Sequence, residues 1–106
     1  MLLAHDVYIT LHDGSEAARA RLVATWLEYL AGCDCVSMSA GGRAPEFDRP
    51  VNDQGFDVGL HVTFKDRASH DAYQAHPRHK QFVDETRPNW KTVRVFDSWV
   101  DAPPAS

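Results

Sequence analysis

The stretch FDVGLHVTF, residues 56–64, constrains the fold more than any other part of the chain. Phe56, Val58, Leu60, Val62 and Phe64 alternate with Asp57, Gly59, His61 and Thr63. A period of two with apolar residues on one side is the pattern of a half-buried strand. Such a strand needs a helix layer against its apolar side. The question for the rest of the sequence is what supplies that layer.

At the start, HDVYITLHD (residues 5–13) alternates in the same way, with His5, Val7, Ile9 and Leu11 on one face and Asp6, Tyr8, Thr10 and His12 on the other. Asp13 stands three residues before Glu16, a variant of the capping box that opens helices. Leu22, Val23, Trp26, Leu27 and Leu30 then form an apolar stripe at helical spacing, with Gly32 as a suitable C-terminal cap. Trp26 and Tyr29 read as core and core edge. CVSMSAGG (35–42) reads as a second strand, and GGRAPEFDRPVNDQG (41–55) as a loop of the length used for lids and contact arms. DRASHDAYQA and PRHKQFVDETRPNW are helical, KTVRVFDSWV is a fourth strand, and residues 101–106 are a frayed tail.

The order strand, helix, strand, strand, helices, strand is the α+β ferredoxin-like plan, βαββαβ: a four-stranded antiparallel sheet with helices on one face. With 106 residues it makes one domain, residues 1–100. The other sheet face carries Tyr8, His61, Thr63, Arg94 and Phe96. A face of that mixed character calls for a second copy, so a homodimer through the sheet face is expected.

Charge excludes one class of partner. A net charge of -4, with basic residues scattered among acids, provides no stripe to bind phosphates, so no nucleic-acid partner is expected. No signal-peptide pattern or 18-residue apolar run is present, so the expectation is a cytoplasmic protein without a membrane partner. Cys33 and Cys35 are separated by one residue, where a disulfide is strained and no second ligand pair follows at zinc spacing. They read as small residues at a helix-to-strand turn.

DAYQAHPRHKQF (residues 71–82) carries the candidate chemistry. Proline disfavours the α conformation in the preceding residue, so His76 marks a break, and Pro77 opens a new helix at its first position. In that helix His79, Phe82, Val83, Thr86 and Trp90 fall on one face, turned to the sheet. A helix N-terminus and burial both disfavour imidazolium, so His79 is expected neutral, as a general base must be. Tyr73, one turn before the break, and His5, on the helix side of the first strand, converge on the same space. The bland alternative is that each is a core or rim side chain satisfied by backbone.

Other readings are weaker. Ser69, His70 and Asp71 are adjacent on a helix and face different ways, so they are no triad. His76 and His79 with His61 or His5 lack a nearby carboxylate for a metal, and no haem motif occurs. His12 and His70 read as solvated surface. The site therefore calls for no metal and no cofactor.

HDVYITLHDGS, FDVGLHVTFKDRASHDAYQAHPRHKQF and VRVFDSWV together resemble the stress-responsive A/B barrel domain, a subgroup of the dimeric α+β barrel proteins, over about residues 3 to 100. The resemblance implies a ferredoxin-like subunit and a dimer whose two sheets close into a barrel. It implies no single activity, since members include plant proteins linked to stress tolerance and assembly. One enzymatic member folds a linear tetraketide by aldol chemistry; its catalytic histidine and tyrosine fall on His79 and Tyr73, and its first-strand pocket histidine on His5. Its third-strand pocket histidine falls on Val58 here. The expected function is binding of a small carbonyl or phenolic molecule between sheet and helices, with cofactor-free acid–base chemistry. In that reading His79 is the base, Tyr73 the donor to a carbonyl oxygen and His5 an orienting group. The rivals are a non-catalytic stress or assembly protein and a cofactor-free monooxygenase acting on aromatic substrates.

Overall fold

The computed structural model describes residues 1–30 and 32–101; the expected tail beyond residue 101 lies outside them. The chain runs β1 (Leu2–Leu11), α1 (Glu16–Tyr29), β2 (Met38–Arg43), β3 (Val58–Phe64), α2 (Arg67–Ala75), α3 (Pro77–Thr86), a short 3₁₀ turn (Arg87–Asn89) and β4 (Trp90–Val100). The sheet is four-stranded, in the order β2-β3-β1-β4, and every pairing is antiparallel. This is the expected ferredoxin-like subunit.

The sheet register decides which side chains meet. His5 lies opposite Val62 on β3 and Asp97 on β4, and Asp6 lies opposite His61 and Phe96. Alternation then sends Leu3, His5, Ile9, Val58, Leu60, Val62 and Phe64 under the helices, where all are buried. Their partners from above are Leu22, Trp26 and Leu30 of α1 and its C-terminal cap, Tyr73 of α2 and Phe82 of α3. Trp26 sits almost on the sheet because β2 presents no side chain at Gly41. A Cβ there would lie 3.2 Å from both the Trp26 ring and Leu60, tighter than ordinary van der Waals contact.

Local signals were redirected in four places. The α1 cap is Ser15, whose hydroxyl accepts from the Ala18 N–H; Asp13 sits one step further out and accepts from the Ser15 N–H. Leu30, rather than a left-handed Gly32, closes the helix, and no described glycine has a positive φ. Of the expected apolar stripe, Leu27 is exposed at the β2 edge. Helix α3 stops at Thr86, two residues before Pro88, so Trp90 belongs to β4 and not to the helix.

The loop and its junction with β3 also depart from expectation. Gly41 and Gly42 belong to β2, and the loop begins after Arg43. Strand alternation fails at the first residues of FDVGLHVTF. Phe56 packs on the open face against Tyr8, with ring centroids 4.9 Å apart. Asp57 is buried instead, accepting from the Leu11 N–H at 2.7 Å and from Arg19 at 2.6 Å. Two strong donors within reach outweigh the preference of the phenyl ring for the core. Cys33 and Cys35, with Cα atoms 5.3 Å apart in the turn after α1, are joined as a disulfide, contrary to expectation; the turn brings them within ordinary bridging distance.

Asp57 therefore ties the start of β3 to the end of β1 and to α1. Asp57→Ala leaves the Leu11 N–H and the Arg19 guanidinium without their acceptor. It should lower the unfolding free energy by about 2–4 kcal/mol, read from urea denaturation. Asp53→Ala, which removes an exposed pairing with Arg94 and an exposed loop contact from the Gly55 N–H, should move the urea midpoint far less.

Candidate functional site

The break at His76 builds the site. Its backbone is extended, as a residue before proline must be, and its Nδ1 accepts from the Arg78 N–H, capping α3. His76 is thereby used structurally. The turn carries Tyr73, at the end of α2, and His79, at the start of α3, onto one wall of a cavity of about 460 Å³. Their rings lie edge to face with centroids 5.2 Å apart. The floor is Val7, Ile9, Leu60 and Val62 of the sheet, and Phe82 and Val83 close one side. Val93 and Val95 of the outer strand complete the rim.

Tyr73 is 3% exposed. Its oxygen accepts from the Trp26 indole N–H at 3.0 Å, which leaves its own proton to be given elsewhere. Burial pushes the phenol pKa up, and the Trp26 hydrogen bond offsets part of that rise. Tyr73 is therefore a neutral donor. His79 is half-buried and makes no side-chain hydrogen bond to another described residue. Burial holds its pKa below the ordinary 6.5, and the nearby imidazoles of His5, His70 and His76 push the same way. Above that range it is a neutral acceptor.

His5 is buried on the cavity wall, with its ring centroid 6.3 Å from that of Tyr73. Its Nδ1 meets Asp97 Oδ1 at 2.6 Å across the β1–β4 pair. Such a contact sets which ring nitrogen faces the cavity. All the residues expected at the site (His79, Tyr73 and His5) thus come together around one hollow. Val58 is fully buried and lies outside the cavity lining.

Sequence reasoning missed several members. His70 is not solvated surface: it lines the cavity, its ring 5.2 Å from that of His5. Its helical offset of three from Tyr73 was the available signal. Asp97 was hidden because only strand register brings it to His5. Trp90 lines the cavity too, with a buried indole N–H that has no acceptor among the described residues.

The model of the stress responsive A/B barrel domain matches residues 3–100. Among solved structures, the chain is similar to a Dabb family protein with a ferredoxin-like fold from Mesorhizobium loti, at 23% identity and a TM-score of 0.78, covering 95% of this chain and 98% of that one. It is similar to a dimeric ferredoxin-like protein of unknown function from Thermobifida fusca, at 16% identity and TM-score 0.77, covering 94% and 92%. A hydroxynitrile lyase from Passiflora edulis shares 16% identity at TM-score 0.76, covering 98% and 97%. None of the curated proteins matches the chain.

The His79 environment has a measurable sign. Its folded pKa lies below that of the unfolded chain, so the folded state binds fewer protons as pH falls through the ordinary value of 6.5. The stability associated with the neutral ring is complete above that value and is lost as pH drops towards the folded midpoint. An NMR titration of the imidazole C–H signals should give His79 a midpoint below 6.5, and His79→Gln should flatten that part of the stability–pH curve.

Proposed function

The chain belongs to the stress responsive A/B barrel domain family, and from that premise we propose that it binds a small carbonyl or phenolic molecule beneath α2 and α3 and acts on it by cofactor-free acid–base chemistry. The observation that carries this reading is the pairing of Tyr73 and His79, ring centroids 5.2 Å apart, on the wall of one largely apolar cavity. A cavity of about 460 Å³ has the size of small-molecule sites. Convergent polar groups on an apolar wall are the usual form of such a site.

The division of labour follows from the hydrogen bonds. The Tyr73 oxygen is already held by Trp26, so the phenol proton is directed to a carbonyl oxygen of the ligand. His79 takes a proton from the carbon or hydroxyl next to that carbonyl. Negative charge then develops on the oxygen, and the Tyr73 O–H stabilises it from the largely apolar wall. The imidazolium returns its proton to the product, so the cycle needs no oxidant or reductant. His5, held by Asp97, orients the ligand from the floor.

The same reading makes the protein a homodimer. On the open face Tyr8 lies at the centre of a ring cluster, 4.9 Å from Phe56, 5.8 Å from His61 and 5.9 Å from Phe96. Phe96 is 54% exposed in the isolated chain. A second sheet packed there covers these rings at the usual spacing of about 10 Å. The Thermobifida fusca protein of the same fold is dimeric, which supports association as such.

Ligand binding is tested by thermal shift with a panel of simple phenols and hydroxyacetophenones. Ligand at a hundredfold its Kd adds about 2.7 kcal/mol to stability, a rise of several degrees for a small domain. The wild type should show that rise, and His79→Ala and Tyr73→Phe should lose most of it. Equal shifts in all three proteins would remove the site from this cavity; no shift in any would favour a purely structural or assembly role. Association is tested separately by light scattering. The wild type should have dimer mass and Phe96→Glu monomer mass, because a carboxylate cannot be buried between two sheets without a partner.

A further inference from the structure

A second cluster of side chains lies on the outer side of the same floor. We propose that His5, His70 and Asp97 form a binding site for a divalent first-row transition cation, zinc being the natural occupant. One ligand atom from each of the three lies within 4.8 Å of the other two. Two of them come from a cross-strand pair, His5 on β1 and Asp97 on β4, already in contact at 2.6 Å. The third comes from α2, where the His70 ring stands edge-on to His5 at 5.2 Å. Strand register and helix packing, rather than a loop, set the spacing.

Surroundings as well as ligands fit a metal. The Nδ1 of His70 meets Asp71 Oδ1 at 3.1 Å, which leaves Nε2 as the nitrogen available to a cation and matches the carboxylate–histidine–metal arrangement that fixes a ligand ring. Arg67, which lines the neighbouring cavity, is itself bound to Asp71 at 3.0 Å. Beside the cluster is a separate cavity of about 240 Å³, lined by Leu3, Arg67, His70, Asp97, Ser98 and Trp99. It has room for the water that completes a four-coordinate set.

The donor set selects the cation. Two imidazoles and one carboxylate suit zinc and its neighbours, whereas magnesium and calcium require oxygen ligands. Tetrahedral coordination at bond lengths near 2.0–2.1 Å sets neighbouring ligand atoms about 3.3 Å apart. Reaching it requires His70 to swing inward by roughly 1.5 Å and the His5–Asp97 contact to open as the shared proton leaves. His70 rides on a short helix with a partly exposed side chain, which permits the movement. The cluster shares His5 and His70 with the lining of the organic site but not Tyr73 or His79.

The experiment titrates metal-free protein with Zn²⁺ by calorimetry and with Co²⁺ by visible absorption. Wild type should bind both stoichiometrically, the cobalt spectrum having the intensity of a tetrahedral nitrogen and oxygen site without a thiolate band. His70→Ala and Asp97→Asn should each weaken binding by at least about tenfold, and Asp71→Asn by about tenfold through loss of its hold on the ring. His12→Ala should leave the affinity unchanged. Absence of binding in wild type overturns the proposal, and so does unchanged affinity in His70→Ala and Asp97→Asn. Binding that disappears instead with Cys33→Ser overturns it as well, by assigning the ion to the cysteine turn. No organic ligand enters this titration, so its failure would leave the reading of the Tyr73 and His79 pocket standing.

Discussion

The indole N–H of Trp26 is a buried donor, and its partner among the described residues is the hydroxyl of Tyr73. An unpaired donor at that depth costs about 1–3 kcal/mol. That single requirement therefore links α1, the sheet beneath it and the last turn of α2. Trp26 reaches the contact only because Gly41 leaves β2 bare under its ring. Tyr73 reaches it only because α2 is docked on Phe64, ring centroids 5.2 Å apart. Once the phenol is fixed, the break at His76 and the new helix beginning at Pro77 hold His79 beside it. The hollow is what remains between a wall pinned by hydrogen bonds and a floor of branched aliphatic residues.

The electrostatics of the region follow from an uneven distribution of carboxylates. His79 faces apolar side chains and other imidazoles, so both burial and neighbours disfavour its charge. His5 has Asp97 against it, and His70 has Asp71. The inner end of the cavity thus suits proton transfer, and the outer end, where imidazole and carboxylate meet, suits a cation. His61 with Asp6 repeats the histidine–aspartate pairing on the open face, at 2.8 Å. One sheet carries such pairs on both faces because the cross-strand register puts polar residues opposite one another.

The fold is shared with proteins of 16–23% identity, among them a hydroxynitrile lyase and a protein of unknown function. Backbone similarity at that level speaks for the arrangement of strands and helices and leaves the chemistry to individual side chains. Here the cavity floor, Val7, Ile9, Leu60 and Val62, is aliphatic. The polar groups that remain are confined to one wall and one end.

Much of this was legible from residue pattern alone. The strands of alternating residues, the helical stripe through Leu22, Trp26 and Leu30, and the break enforced by Pro77 are local consequences of backbone geometry. Local geometry is written in a contiguous sequence. The inward turn of His79 followed from helical spacing, as did the nearness of Tyr73. Register and competition between distant groups were not legible. Asp97 meets His5 because residues 92 apart are paired across two strands, and no window of sequence contains both. Asp57 displaces Phe56 from the core because Arg19 and the Leu11 N–H wait there, a contest between side chains brought together only by folding. Sequence by itself determined the order of the elements and the side most of their residues present; tertiary structure decided the exceptions at Phe56 and Asp57 and which polar groups meet, since these depend on energies between residues the chain keeps far apart.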